Sequence, residues 1–344
     1  MRILLTGVGG FIGAHAVNWF LKNTDYEIVG IDSWRPGHVN DGKRLQDALA
    51  DLTPDQLSRF TCFRWDLTHA FTPAIINQIF AGGEIDVLIS MASDSRVEHA
   101  IKSPGDTWYT NTQIVFNLLE LARQRPVKSF INVSTDEVYG DAGWEGEGHP
   151  EWDTILPSNP YSASKAAQEA LAIAYWRTYN VPVIITNTMN VIGEWQSPEK
   201  FLPKAIKRIQ FGEPMTLYAE ASGNRTTKRV WLDAKTMAAA LHHICQNVEP
   251  KLYSEPLDRP LRFHVIGETE LSVADLAQLV ADKLKKPLIK ELVDGDKVRP
   301  GGDKRYALVD NNLKSTGFQP PFTFNETLDR IISWVAEQPN WVYE

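Results

Sequence analysis

Short apolar runs separated by longer amphipathic stretches mark the first two-thirds of the chain. The runs fall at residues 2–6 (RILLT), 27–31 (EIVGI), 86–90 (DVLIS), 129–134 (SFINVS) and 182–186 (PVIIT), with a weaker one at 59–64. Runs this short, rich in Ile and Val and without polar alternation, predict strands buried on both faces. Between them apolar residues recur at helical spacing. Ile114, Leu118, Leu121 and Ala122 do so within 110–125, and Ala166, Ala170, Leu171, Ala174 and Tyr175 within 161–179. Such alternation predicts an α/β fold, a doubly wound parallel sheet covered by helices on both sides.

The connections carry their own signals. Within the long connector 33–57, Thr53-Pro54-Asp55-Gln56 supplies an N-cap, a first-turn proline and a capping-box glutamine for a short helix. Residues 141–159 are rich in Gly, Pro and acidic side chains and read as a surface loop, long enough to form a lid or a site wall. Beyond about residue 187 the alternation breaks up, with prolines at 198, 203 and 214. Helices are expected at 233–248, 272–285 and 322–336, and a strand at 261–266. The pattern predicts two interleaved domains: 1–187 with about 229–267, and about 188–228 with 268–344, the second smaller.

Composition narrows the function. A net charge of -8 over 344 residues argues against a nucleic-acid binder. No run of 18 apolar residues predicts a membrane span, and no signal peptide is recognisable, so a cytoplasmic protein is expected. Cys62 and Cys245 are far apart and form neither a CxxC pair nor a metal-like spacing, so no metal is expected. His99, His242 and His243 read as ordinary helix residues, and Trp144, Trp152 and Trp195 as packing residues in loops.

The chemistry begins at the first strand, which runs into Thr6-Gly7-Val8-Gly9-Gly10-Phe11-Ile12-Gly13. Gly7, Gly10 and Gly13 suit a tight strand-to-helix turn that brings backbone and a helix N-terminus to a pyrophosphate. Asp32, at the end of the second strand, is placed to accept the ribose hydroxyls of a dinucleotide. A carboxylate there repels a 2′-phosphate and favours NAD over NADP, although Arg35 stands close by. Asp66 and Leu67 follow the third strand and could hold the adenine edge. Tyr161 and Lys165, four apart in Tyr161-Ser162-Ala163-Ser164-Lys165, share one helix face. The ammonium is expected to lower the tyrosine pKa, so that the phenolate acts as a base. Ser134-Thr135-Asp136-Glu137-Val138-Tyr139-Gly140 follows the fifth strand, at the sheet edge where α/β proteins bind ligands.

TGxxGFIG, STDEVYG and YSASK in this order resemble the extended short-chain dehydrogenase/reductase family, and STDEVYG resembles its dTDP-glucose 4,6-dehydratases. The resemblance spans nearly the whole chain and includes residues 190–203 (NVIGEWQSPEKFLP), Arg229-Val230-Trp231 and 299–310 (RPGGDKRYALVD). It implies a Rossmann-like domain with NAD as cofactor and a nucleoside-diphosphate sugar as substrate. It also implies a homodimer joined through the helices near 107–125 and 161–179. Cofactor contacts would come from Gly7, Gly10, Phe11, Ile12, Gly13, Asp32, Asp66, Leu67, Ala92, Ser134, Tyr161 and Lys165. Substrate contacts would come from Ser95, Thr135, Asn190, Lys200, Tyr218, Arg229 and Arg299. The implied reaction oxidises C4 of the sugar, eliminates water across C5 and C6, and returns hydride to C6. Tyr161, held by Lys165, would take the O4 proton, Thr135 would polarise O4, Glu137 would be the C5 base, and Asp136 the acid for the leaving hydroxyl.

The chain departs from the family pattern at Asp94-Ser95-Arg96-Val97-Glu98-His99, at Val230 and at Gly302. Because these are substrate-facing regions, the nucleotide base stays open among dTDP, UDP, CDP and GDP, with dTDP-glucose and UDP-glucose leading. Two other readings compete: a 4-epimerase or UDP-glucuronate decarboxylase of the same family, and a non-catalytic NAD-binding protein on the same fold. The Asp136-Glu137 pair discriminates against the first, and the complete catalytic set against the second.

Overall fold

The computed structural model describes residues 1–34, 41–298, 302–338 and 341. In chain order its first part comprises β1 (Arg2–Thr6), α1 (Phe11–Asn23), β2 (Glu27–Asp32), α2 (Asp41–Leu49), α3 (Pro54–Ser58), β3 (Phe60–Arg64), α4 (Pro73–Ile79), β4 (Val87–Ser90), α5 (Val97–Lys102), α6 (Pro104–Gln124), β5 (Ser129–Thr135), α7 (Pro160–Tyr179) and β6 (Val183–Thr188). The remainder comprises β7 (Asn190–Ile192), α8 (Phe201–Phe211), β8 (Met215–Ala219), β9 (Lys228–Asp233), α9 (Ala234–Asn247), β10 (Leu261–Val265), β11 (Thr269–Ser272), α10 (Val273–Leu284), β12 (Lys290–Asp294), α11 (Gly295–Val298), α12 (Asn312–Ser315) and α13 (Phe324–Glu337).

Among the described residues the main sheet has seven strands in the order β10-β6-β5-β4-β1-β2-β3, and every pairing in it is parallel. Successive side chains of each strand enter opposite cores. Ile3 and Leu5 of β1 pack with Val17 and Phe20 of α1 and with Met237 and Leu241 of α9. Leu4 faces the other way, toward Leu118 of α6 and Trp176 of α7. This double burial is why the strands are uninterrupted apolar runs. A third core joins Leu202 and Ile206 of α8, Leu217 of β8, Leu276 of α10 and Leu328 of α13. There β11, β9 and β7 form a three-stranded sheet, and β12 and β8 a two-stranded one.

The expected short helix is α3, and Thr53 and Gln56 form its capping box. One expectation changes. The helix placed at 110–125 begins at Pro104, whose ring fits the first turn. The stretch 141–159 is an irregular surface segment, as expected, but it is tied down at two places. His149 pairs with Leu308, and buried Glu151 accepts the backbone N–H groups of Asn311 and Asn312, both at 2.7 Å. Its polar composition serves those backbone partners as well as water. No helix among the described residues is long and apolar enough to cross a membrane, and no group of metal-ligating side chains is assembled among them.

Candidate active site

Strand order reverses between β1 and β4, which opens a crevice beyond their carboxyl ends. Gly7 occupies it with φ +78°, and a Cβ there would come within 3.0 Å of the Ala92 backbone, just past β4. A Cβ on Gly13 would overlap the carbonyl oxygen of Gly7, so the turn requires glycine at both places. Gly10 caps α1 without a side chain, which leaves the first N–H groups of that helix open to an anion. Asp32 is held at the end of β2 by the Gly9 N–H (2.9 Å) and the Trp34 N–H (3.1 Å). Asp66 accepts from the N–H and hydroxyl of Thr68 at 3.0 and 2.7 Å. These features fit a dinucleotide: an open helix terminus, close backbone approach and a fixed carboxylate beside the turn. Phe11 lies edge-on to His15, and Ile12 packs against the core. The side chain of Leu67 is buried in the opposite core.

The catalytic candidates gather at the end of β5 and the start of α7. Thr135 ends β5 and donates to Asp136 Oδ1 at 2.9 Å. Asp136 is buried and its Oδ2 has no partner. Burial first, and then the charge of Glu137, push its carboxyl up to about 7. Glu137 is partly exposed and accepts from Asn159 Nδ2 (3.1 Å) and the Tyr306 hydroxyl (3.3 Å). Burial raises its pKa too, against those hydrogen bonds and the charge of Arg229.

Tyr161 and Lys165 differ from expectation. Lys165 Nζ donates to the Val133 carbonyl (2.8 Å) and to Gln168 Oε1 (2.5 Å). Burial and then the charges of Glu137 and Asp136 raise the Tyr161 pKa, where the sequence suggested that Lys165 would lower it. The protein alone therefore holds a neutral phenol. Lys165 itself is lowered to about 8, by burial.

Arg229 also turns inward. It donates to the carbonyls of Lys228, Lys304 and Asp303 and lies 4.2 Å over the ring of Tyr306. Its charge acts on Asp136 and Glu137. Asn190 is on β7, Lys200 caps α8, Tyr218 is on β8, and exposed Ser95 precedes α5. Ser134 is buried with its hydroxyl unpartnered. Arg299 lies outside the described residues, as does Arg35.

Three participants escaped sequence reasoning. Asn159 begins α7 with a capping box to Ser162 while its amide reaches Glu137. Tyr306 and Asp303 both surround Glu137, and Asp303 takes a 2.5 Å hydrogen bond from Ser158. The last two stand in the recognised 299–310 motif, which was a usable signal. Asn159 reads in sequence only as a cap.

Fold and site together define a Rossmann-type enzyme with a Tyr-Lys pair and two neighbouring acids. The chain belongs to the NAD dependent epimerase/dehydratase family, whose model matches residues 3–254. It is 29% identical to a dTDP-glucose 4,6-dehydratase of Shigella flexneri, across 99% of this chain and 94% of that protein. It is also 29% identical to the trifunctional UDP-glucose 4,6-dehydratase of Arabidopsis thaliana, across 99% of this chain and 48% of that longer protein. Among solved structures it superposes on the dTDP-glucose 4,6-dehydratase of Streptomyces venezuelae, determined with NAD bound. The TM-score is 0.84 at 27% identity, covering 100% of this chain and 99% of that one.

Proposed function

We propose that the protein is an NAD-dependent hydro-lyase that converts a nucleoside-diphosphate hexose, dTDP-glucose or UDP-glucose, to the 4-keto-6-deoxy sugar. The observation that carries this reading is the state of the acid pair. Asp136 keeps its proton up to about pH 7 and presents an unpartnered Oδ2, one residue from a second carboxylate. Two acids in different surroundings can act as acid and base in one turnover. An epimerase needs no such pair.

The roles follow from position. NAD, when bound, would supply a reversible hydride acceptor and, while oxidised, a positive charge favouring the Tyr161 phenolate. Gly7, Gly13, Asp32 and the open end of α1 would hold it. Tyr161 takes the proton of the sugar 4-hydroxyl, and Thr135 orients that oxygen. The resulting ketone acidifies the C5 proton, which Glu137 removes. Asp136 gives its proton to the departing 6-hydroxyl, water leaves, and Glu137 returns its proton to C5 as C6 is reduced. The positive charge of Arg229 lowers both carboxyl pKa values and so favours their ionised forms, against burial.

The same reading makes the protein a homodimer. Trp108, Tyr109 and Phe116 on α6 and Tyr179 at the end of α7 are large apolar side chains left exposed, and Tyr109 and Phe116 share one helix face. Both cysteines are free, which suits a reducing cytoplasm.

The deciding experiment incubates the protein separately with dTDP-, UDP-, CDP- and GDP-hexoses and follows mass. Loss of one water from one of them is the expected result and identifies the base. Inverted stereochemistry at C4, read by proton NMR of the same reactions, or loss of carbon dioxide from UDP-glucuronate in a parallel incubation, without dehydration would overturn the reading.

A further inference from the structure

Behind the catalytic strand lies a buried polar cluster that the proposed chemistry does not use. Glu169 of α7 and Arg262 of β10 are 0% and 1% exposed and meet at 2.7 Å. Asn187 of β6, equally buried, donates to Glu169 Oε1 at 2.8 Å and to the backbone carbonyl of Thr135 at 3.0 Å. Arg262 is fixed in turn by the Tyr139 hydroxyl (2.7 Å), which also meets His264 Nε2 (2.8 Å), and it lies 4.2 Å over the ring of Trp152.

Removing two charges from water costs several kcal/mol, so a buried ion pair is weak evidence for a gain in stability. The contacts of this one suggest another use. Glu169 stands one helical turn beyond Lys165 and two beyond Tyr161, on the same helix face. Among the described residues Glu169 is the one charged group that acts on the Lys165 ammonium. The other neighbours of that ammonium are neutral: the Val133 carbonyl of β5, and Gln168 of α7, which is itself tied to the Asn111 carbonyl of α6 at 2.6 Å.

We propose that Glu169, fixed by Arg262 and Asn187, is a positioning residue: through Asn187 it anchors Thr135, and along α7 it supplies the counter-charge of Lys165. The inference rests on the assignment of Thr135 and Lys165 to the reaction proposed above.

The test is the double variant Glu169→Met/Arg262→Met, which removes both charges at similar volume and is expected to fold. Dehydration should fall about ten- to a hundredfold in kcat with KM little changed, as for a misplaced catalytic group. Titration of Lys165 by NMR on 15N-lysine-labelled protein, without substrate or cofactor and with Lys165→Arg for assignment, should move below the wild-type midpoint. An unshifted titration overturns the counter-charge, and an unchanged kcat overturns the anchoring of Thr135. Should the double variant fail to fold, Asn187→Ala keeps the ion pair and tests the anchor alone. It should lower kcat without moving the Lys165 titration, and wild-type kcat in it overturns the anchor. A wild-type protein that dehydrates no hexose overturns the proposed reaction instead, and the titration still decides the counter-charge.

Discussion

Asp136 is where burial and chemistry meet most directly. Its folded pKa of about 7 lies above the unfolded value of 3.8. From about pH 4 to about pH 7 the folded state therefore keeps a proton that the unfolded chain releases, and stability falls as pH rises through that window. Asp136→Asn should abolish elimination and raise the thermal midpoint by a few degrees at pH 8 but not at pH 4, which calorimetry at the two pH values would check. In the wild type the elimination rate should decline as pH climbs past about 7, because the acid then loses its proton. Glu137→Gln should still oxidise C4, seen as nicotinamide reduction at 340 nm, but form no dehydrated sugar. A wild-type elimination rate in it would remove the base assignment. Thr135, Asp136, Glu137 and Tyr161 were singled out through the resemblance carried by STDEVYG and YSASK. The charges around them were not legible, because the Lys165 ammonium is satisfied by Val133 and Gln168 rather than turned to Tyr161. That choice depends on a strand 32 residues away in the chain.

At the scale of elements, what could be read depended on burial. β1, β4 and β5 are buried along nearly their whole length and appear in sequence as unbroken apolar runs. β7, β11 and β12 are short and half-exposed, with no run to betray them. α2 is mostly polar, and its inward side is carried by Leu45 and Ala48, too few for a visible period. The turn between β1 and α1 was legible because glycine is the only residue that satisfies it. Gly13→Ala would force a Cβ into the Gly7 carbonyl, so dinucleotide affinity measured by fluorescence titration should drop at least tenfold and the thermal midpoint should fall. Normal affinity would mean that the loop can re-form without this close contact.

Across the whole molecule, a charge cluster ties the C-terminal helix to the sheet. Arg330 of α13 bonds Glu194 at 2.9 Å and Asp233 at 2.6 Å, and Lys235 also reaches Glu194 at 2.7 Å. Burial pushes the Glu194 carboxyl up, but the charges of His15, Lys235 and Arg330 hold it down to about 2. Arg330→Met removes one partner from each of two buried carboxylates, leaving Lys235 on Glu194 and Thr327 on Asp233, and should cost about 1.5–3 kcal/mol, readable in urea unfolding. A loss under about 0.5 kcal/mol would place this cluster with ordinary surface pairs. Sequence gave no hint of it, since its members lie up to 136 positions apart. A second long-range tie has a kinetic consequence. The Ala142 N–H bonds the Arg305 carbonyl at 3.0 Å, the His149 N–H bonds that of Ala307 at 2.9 Å, and the Val309 N–H returns to His149 at 3.0 Å. Gly148 lies so close that a Cβ would come within 2.7 Å of the Ala307 carbonyl carbon. Two strips of chain some 160 residues apart are thus stitched into one panel, and Tyr306, which touches Glu137, is part of it. These bonds couple the two strips, so they are expected to open together. The amides at 142, 149 and 309 should exchange with deuterium at one common rate, and any change that loosens one seam should speed exchange at both.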